Sequence, residues 1–162
     1  MKKIILLGLI ATLALSIVSC RSSSKMYHTF ETECLGVELD GSQTLKAWGT
    51  GRYWLDATEQ ARKNAVRDVI FKGRFAGSAE CHQNPLLMEV NAQSKYESYF
   101  NAFFRDGGEF HSFVTLQDER VHKRFMRTPT VRNRDQSKFS VIVRVDRVGL
   151  REKLIRDGIL TQ

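Results

Sequence analysis

Cysteine, proline and long hydrophobic runs are all scarce in this chain. Its 162 residues hold three cysteines and two prolines, Pro85 and Pro129. Three cysteines exclude a disulfide-dense scaffold in which bridges stand in for a core. So few prolines, with aromatic residues spread from Tyr27 to Phe139, exclude a disordered or proline-rich composition. Acidic residues are the minority charge: 18 Asp and Glu against 25 Lys and Arg give a formal net charge of +7. The chain is too short for an α/β barrel, a two-domain dehydrogenase or a kinase, and long enough for one domain with its own core. No apolar run reaches the roughly 20 residues of a membrane-spanning helix.

One apolar run is nevertheless present. Lys2 and Lys3 precede a stretch from Ile4 to Val18 that has the length of a signal-peptide h-region. It ends in Ile17-Val18-Ser19-Cys20, which resembles the lipobox of bacterial lipoproteins. The resemblance implies cleavage after residue 19 and acylation of Cys20. Several acyl chains anchor firmly, because each buried CH₂ contributes about 0.8 kcal/mol. Arg21 follows the cysteine where an aspartate would resemble an inner-membrane retention signal, so the outer membrane is expected. Ser22 to Lys25 carries no acidic cluster for surface export, so its periplasmic side is expected. An ordinary secretory signal with Cys20 incidental is the alternative. The chain thus divides into a signal peptide at 1–19, a lipidated tether at 20–29 and one domain at 30–162.

With Cys20 lipidated, Cys34 and Cys81 remain, and an even pair in an oxidising compartment reads as a disulfide. Two separate buried thiols are the alternative. His82 adjoins Cys81, but His28, His111 and His122 are scattered without ligand spacing, so neither a metal nor a cofactor is expected.

Phe30 to Leu39 favours a strand, Asp40-Gly41 a hairpin turn, and Gln43 to Arg52 the returning strand. On that second strand Leu45, Ala47 and Gly49 share one face, and Thr44, Lys46 and Trp48 the other. Asp56 with Glu59 looks like a capping box. Ala57, Ala61 and Ala65 then recur every four residues, continued by Val66, Val69 and Ile70, with Gly73 as terminator. The three alanines predict close approach of this helix to a sheet. After a loop through Asn84-Pro85, Ala92 to Arg105 reads as a helix whose Tyr96, Tyr99, Phe100, Phe103 and Phe104 form an aromatic stripe of core type. Strands are expected at Phe110 to Leu116, around Val121 to Met126, and at Phe139 to Val145. A last helix with Leu150, Leu154 and Ile155 on one face closes at Gly158. The expected fold is α+β: an antiparallel sheet of four to five strands with two or three helices on one face, in the order β-β-α-α-β-β-α.

The run from Leu45 to Arg52, the alanine-spaced segment from Asp56 to Asp68, and the ending from Val141 to Leu154 resemble small envelope lipoproteins related to the flagellar assembly protein T N-terminal domain. That resemblance implies a non-catalytic module docking within an envelope assembly.

Catalytic signatures are missing. Gly49-Thr50-Gly51 lacks the third glycine and the lysine-serine pair of a phosphate loop, and tight helix packing explains it better. No serine sits in a nucleophile elbow, and Glu31, Glu33 and Glu38 read as a solvated strand face. A fold of this sequence is therefore expected to hold no groove where titratable side chains converge. An enzyme acting on envelope glycans or lipids is the rival reading, and a purely structural outer-membrane lipoprotein a third. The clearest surface feature is cationic: Arg120, Lys123, Arg124, Arg127, Arg132 and Arg134, with Lys138 beyond. Outside the cytosol this suggests an anionic lipid or glycan, or an acidic envelope protein, rather than nucleic acid. A solvated cationic hairpin is the plainer alternative.

Overall fold

The computed structural model describes residues 31–73, 76–81, 84–117, 131–132 and 137–161. The proposed leader, tether and Cys20 lie outside these residues, as do the strand expected around Val121 to Met126 and most of the cationic cluster.

The fold is α+β. Strand β1 (Glu33–Val37) turns back into β2 (Gln43–Gly51), pairing Cys34 with Leu45 and Val37 with Gln43. The turn needs Gly41, at φ +80°, and is closed by Glu38 N–H to Ser42 O at 2.8 Å and by Ser42 N–H to the Asp40 carboxylate at 2.9 Å. Helix α1 (Trp54–Phe71) follows and crosses the sheet. A two-residue strand β3 (Ala76–Gly77) then pairs with β1, and a 3₁₀ turn brings up Cys81. Helices α2 (Ala92–Lys95) and α3 (Glu97–Phe103) lead through a second 3₁₀ turn (Glu109–Phe113) into β4 (Val114–Leu116). Strands β5 (Val131–Arg132) and β6 (Ser137–Val145) and helix α4 (Arg147–Arg156) complete the described chain. The sheet runs β3-β1-β2-β6-β4, with β5 beside β4 on the same edge of β6.

Three expectations need correction. The sheet is mixed, because the chain leaving α1 re-enters beside β1 in the same direction, so β3 pairs with it in parallel. Gly77 permits that approach: a Cβ there would lie 2.2 Å from the Cys34 carbonyl oxygen. The helix expected from Ala92 to Arg105 breaks at Tyr96 (φ −112°, ψ 34°), and the break brings Ala92 and the rings of α3 into one core. Phe110 to Phe113 forms a 3₁₀ turn rather than strand, since Phe110 is fully buried against Phe104 instead of alternating across a sheet.

Alternation on the long strands follows the sequence pattern. Leu45 and Ala47 on β2, and Val141, Val143 and Val145 on β6, enter the core, while Lys46, Trp48, Ile142 and Arg144 stand half-buried on the opposite face. Helix α1 lies on the core face through Ala57, Ala61, Ala65, Val66, Val69 and Ile70, all fully buried. Its start is three residues earlier than expected, with Tyr53 rather than Asp56 at the cap and Asp56 as the third helical residue accepting the Tyr53 N–H at 3.3 Å. Its last turn is capped by chain further on: Leu86 and Leu87 N–H groups donate to the Val69 and Ile70 carbonyls, so these end carbonyls are satisfied without solvent.

Candidate functional site

Cys34 and Cys81 form a disulfide, with Cα atoms 6.0 Å apart. Both are buried, and the bond ties β1 to the turn that follows β3. The cationic cluster falls between β4 and β6 in the chain, with Arg132 inside β5, and β4 and β5 both pair with β6. Arg120, Lys123, Arg124, Arg127 and Arg134 lie outside the described residues, and Arg132 is described only as the backbone partner of Ser137. Lys138, opposite Val131, is held below the ordinary lysine range by burial.

The three glutamates of the first strand do not converge. Glu31 pairs with Lys72 at 2.8 Å, Glu33 with Lys46 at 3.4 Å, and Glu38 accepts the Thr44 hydroxyl at 3.0 Å. Gly49 and Gly51 cradle no phosphate. A Cβ at Gly49 would lie 1.8 Å from the Ala57 carbonyl oxygen, so the space belongs to the helix backbone. Among the described residues no group of three His, Cys, Asp or Glu side chains could hold a metal.

Titratable groups do converge, against expectation. In a groove of about 510 Å³ between α3, the second 3₁₀ turn and α4, Lys153 lies 2.6 Å from Glu109 and 2.9 Å from Asp157. The Tyr99 hydroxyl donates to Asp157 at 2.6 Å. Spacing along the sequence pairs only Lys153 with Asp157, four residues apart at the end of α4; Tyr99 and Glu109 come from two other elements. Their protonation states argue for bracing rather than acid–base work. Burial, and then Asp157, push the Tyr99 phenol well above its usual value. Hydrogen bonds to Glu109 and Asp157 hold Lys153 above the ordinary lysine range. Burial alone would raise Asp157, but Tyr99 and Lys153 outweigh it and leave the carboxyl lower than usual. Tyr99, Lys153 and Asp157 each titrate further from pH 7 than usual, whereas a general acid or base works best with a pKa near the operating pH.

A larger groove, about 730 Å³, runs along the N-terminal half of α1 towards Leu116 of β4. Trp54, Thr58 and Arg62 line it at four-residue spacing. The indole Nε1, the Thr58 hydroxyl and the Arg62 Nε are all buried and make no hydrogen bond. Thr58 as a whole is only 5% exposed. Neighbouring charges are already engaged: Glu59 with His111 at 2.6 Å, Lys63 with Asp106, and Asp56 with the Tyr53 N–H. Arg62 has no ion pair among the described residues. Arg62 stands off the buried alanine stripe, and the four-residue recurrence of donors was the signal the sequence offered. No family model, curated protein or solved structure matches the chain.

Proposed function

We propose that this protein is a non-catalytic binding or assembly module of the bacterial cell envelope, held by lipid on Cys20 at the periplasmic side of the outer membrane. The observation that carries the reading is the Cys34–Cys81 disulfide. Structural disulfides persist in oxidising compartments, and this one takes up two of the three cysteines. The third stands at the end of the apolar N-terminal run, where the lipobox resemblance wants it. Among the described residues no helix is long and apolar enough to cross a membrane, so attachment through acyl chains is the route this reading needs. The cationic segment between Arg120 and Arg134 then serves association with anionic headgroups, an anionic glycan or an acidic envelope protein.

The enzyme alternative draws on the Tyr99, Glu109, Lys153 and Asp157 convergence. The ion pairs of Lys153 and the Tyr99 hydrogen bond to Asp157 favour a structural brace over a reaction centre.

Palmitate labelling and membrane fractionation of the full chain test the anchor. The expected result is labelled, membrane-bound protein that Cys20→Ala leaves unlabelled and soluble. Label that survives Cys20→Ala refutes the anchor. Turnover of envelope glycan or lipid that Glu109→Gln or Asp157→Asn abolishes, with the fold intact, refutes the non-catalytic reading.

A further inference from the structure

We propose that the corner where β2 turns into α1 rests on the lipid surface that carries the Cys20 anchor, with Tyr53 and Leu55 entering the headgroup layer and the cations beside them facing anionic lipid. Strand register gives the direction. Glu33 pairs with Lys46 in an antiparallel ladder, so the chain enters β1 from the side on which β2 ends. Gly51, the last residue of β2, lies about 17 Å along the strand from Lys46. The stretch from Cys20 to Phe30 spans at most about 40 Å, so Cys20 and this corner can reach one surface. The corner itself has an interfacial make-up. Tyr53 and Leu55 are 64% and 71% exposed, and the Arg52 guanidinium lies 5.8 Å from the Tyr53 ring centre. At headgroup level a tyrosine keeps its ring in apolar surroundings and its hydroxyl wet, while a long cation reaches out to phosphate. The ladder places Lys138 opposite Thr50 at this same end, and Ser137 between Gly51 and Arg132. Across positions 49–56, 131–132 and 137–139, Arg52, Arg132 and Lys138 stand against a single carboxylate, Asp56, which already accepts the Tyr53 N–H at 3.3 Å. That balance selects an anionic lipid surface. Leu39, fully exposed, stands instead at the opposite end of β2, in the hairpin between Glu38 and Asp40. Two apolar side chains hold a bilayer only weakly by themselves, but the acyl anchor makes their contact intramolecular and raises its effective concentration.

This orientation rests on the anchor reading and adds a membrane-facing end to it. Full-length lipidated protein would be reconstituted into vesicles of phosphatidylglycerol and brominated phosphatidylcholine, whose bromines quench a nearby indole. After subtraction of the parent signal from Trp48 and Trp54, Leu55→Trp is expected to be quenched about twofold or more beyond Leu39→Trp, as an indole held at the headgroup and acyl boundary would be. Both positions are exposed, so both variants should keep the parent's thermal midpoint. Exchanging the phosphatidylglycerol for unbrominated phosphatidylcholine, at a constant brominated share, should reduce the quenching of Leu55→Trp. Protein that floats with the vesicles yet shows equal quenching at the two positions, no quenching of Leu55→Trp, or quenching indifferent to phosphatidylglycerol overturns the orientation and leaves the anchor standing. Protein that carries no lipid and does not float with the vesicles overturns the anchor, and the orientation with it.

Discussion

At Gly49 the sheet and helix backbones meet without a side chain between them. An added Cβ would sit 1.8 Å from the Ala57 carbonyl oxygen and 2.7 Å from the Ala61 nitrogen, both held by α1's own hydrogen bonding. Gly49→Ala must therefore lift the helix from the sheet and is expected to cost at least about 3 kcal/mol in urea unfolding. This contact was legible beforehand, since a strand with glycines opposite an Ala57, Ala61, Ala65 repeat predicts close approach. Gln43 was not. It is fully buried at the start of β2, between Val37 and Val145, and its amide makes no hydrogen bond. A glutamine beside a turn reads as surface, and only the packed structure reveals the desolvated amide. Gln43→Met keeps most of the volume while removing the unpaired polar group. It should stabilise the protein by about 1–2 kcal/mol, measured by the same unfolding.

Helix α4 is set by its first residue outside. The Asp146 carboxylate accepts the Gly149 N–H at 2.8 Å, and a Cβ on Gly149 would lie 2.3 Å from that carboxylate. Cap and glycine therefore go together. Asp146→Ala should cost about 1 kcal/mol, with Asp146→Asn recovering most of it, as read from thermal midpoints. Periodicity located this helix and β6, because each buries one face with an unbroken repeat. It failed where aromatic side chains decide the backbone. Phe100, Phe103 and Phe104 pack with Phe110 and Phe113 as a ring cluster, Phe103 and Phe104 meeting edge-on at 5.0 Å. Serving that cluster breaks the helix at Tyr96 and tightens 109–113 into a 3₁₀ turn, neither of which follows from a hydrophobic period. The candidate groove was equally hidden, because it depends on Leu116 and Asp106 being folded back beside α1.

Over the whole molecule the disulfide and the carboxylates determine how stability responds to conditions. Cys34 and Cys81 are 47 residues apart and enclose β2 and α1. In the chain-entropy model a loop of that size contributes about 4 kcal/mol, so the Cys34→Ala, Cys81→Ala protein should melt about 12 °C lower. The pH response has two opposing parts. Glu31, Asp40 and Asp106 lie below their ordinary values, through Lys72, the Ser42 N–H and Lys63 respectively. Asp157 is lowered too, its burial outweighed by Tyr99 and Lys153. Groups depressed by folding add stability above their unfolded pKa, near pH 4, and lose it as the pH falls through the folded value. Asp68 runs the other way. Burial raises its carboxyl despite the hydrogen bond from Thr32 and the charges of Lys72 and Arg67, so its ionised form costs stability at neutral pH. Acidification should therefore lower the melting temperature overall, with Asp68 working against the trend. Asp68→Asn keeps an acceptor for Thr32 and removes the desolvated charge. Its melting temperature should exceed that of the parent at neutral pH, and the two curves should converge as the pH drops through the raised Asp68 pKa. A variant that melts lower at neutral pH and matches the parent in acid would mean that Lys72 and Arg67 outweigh burial.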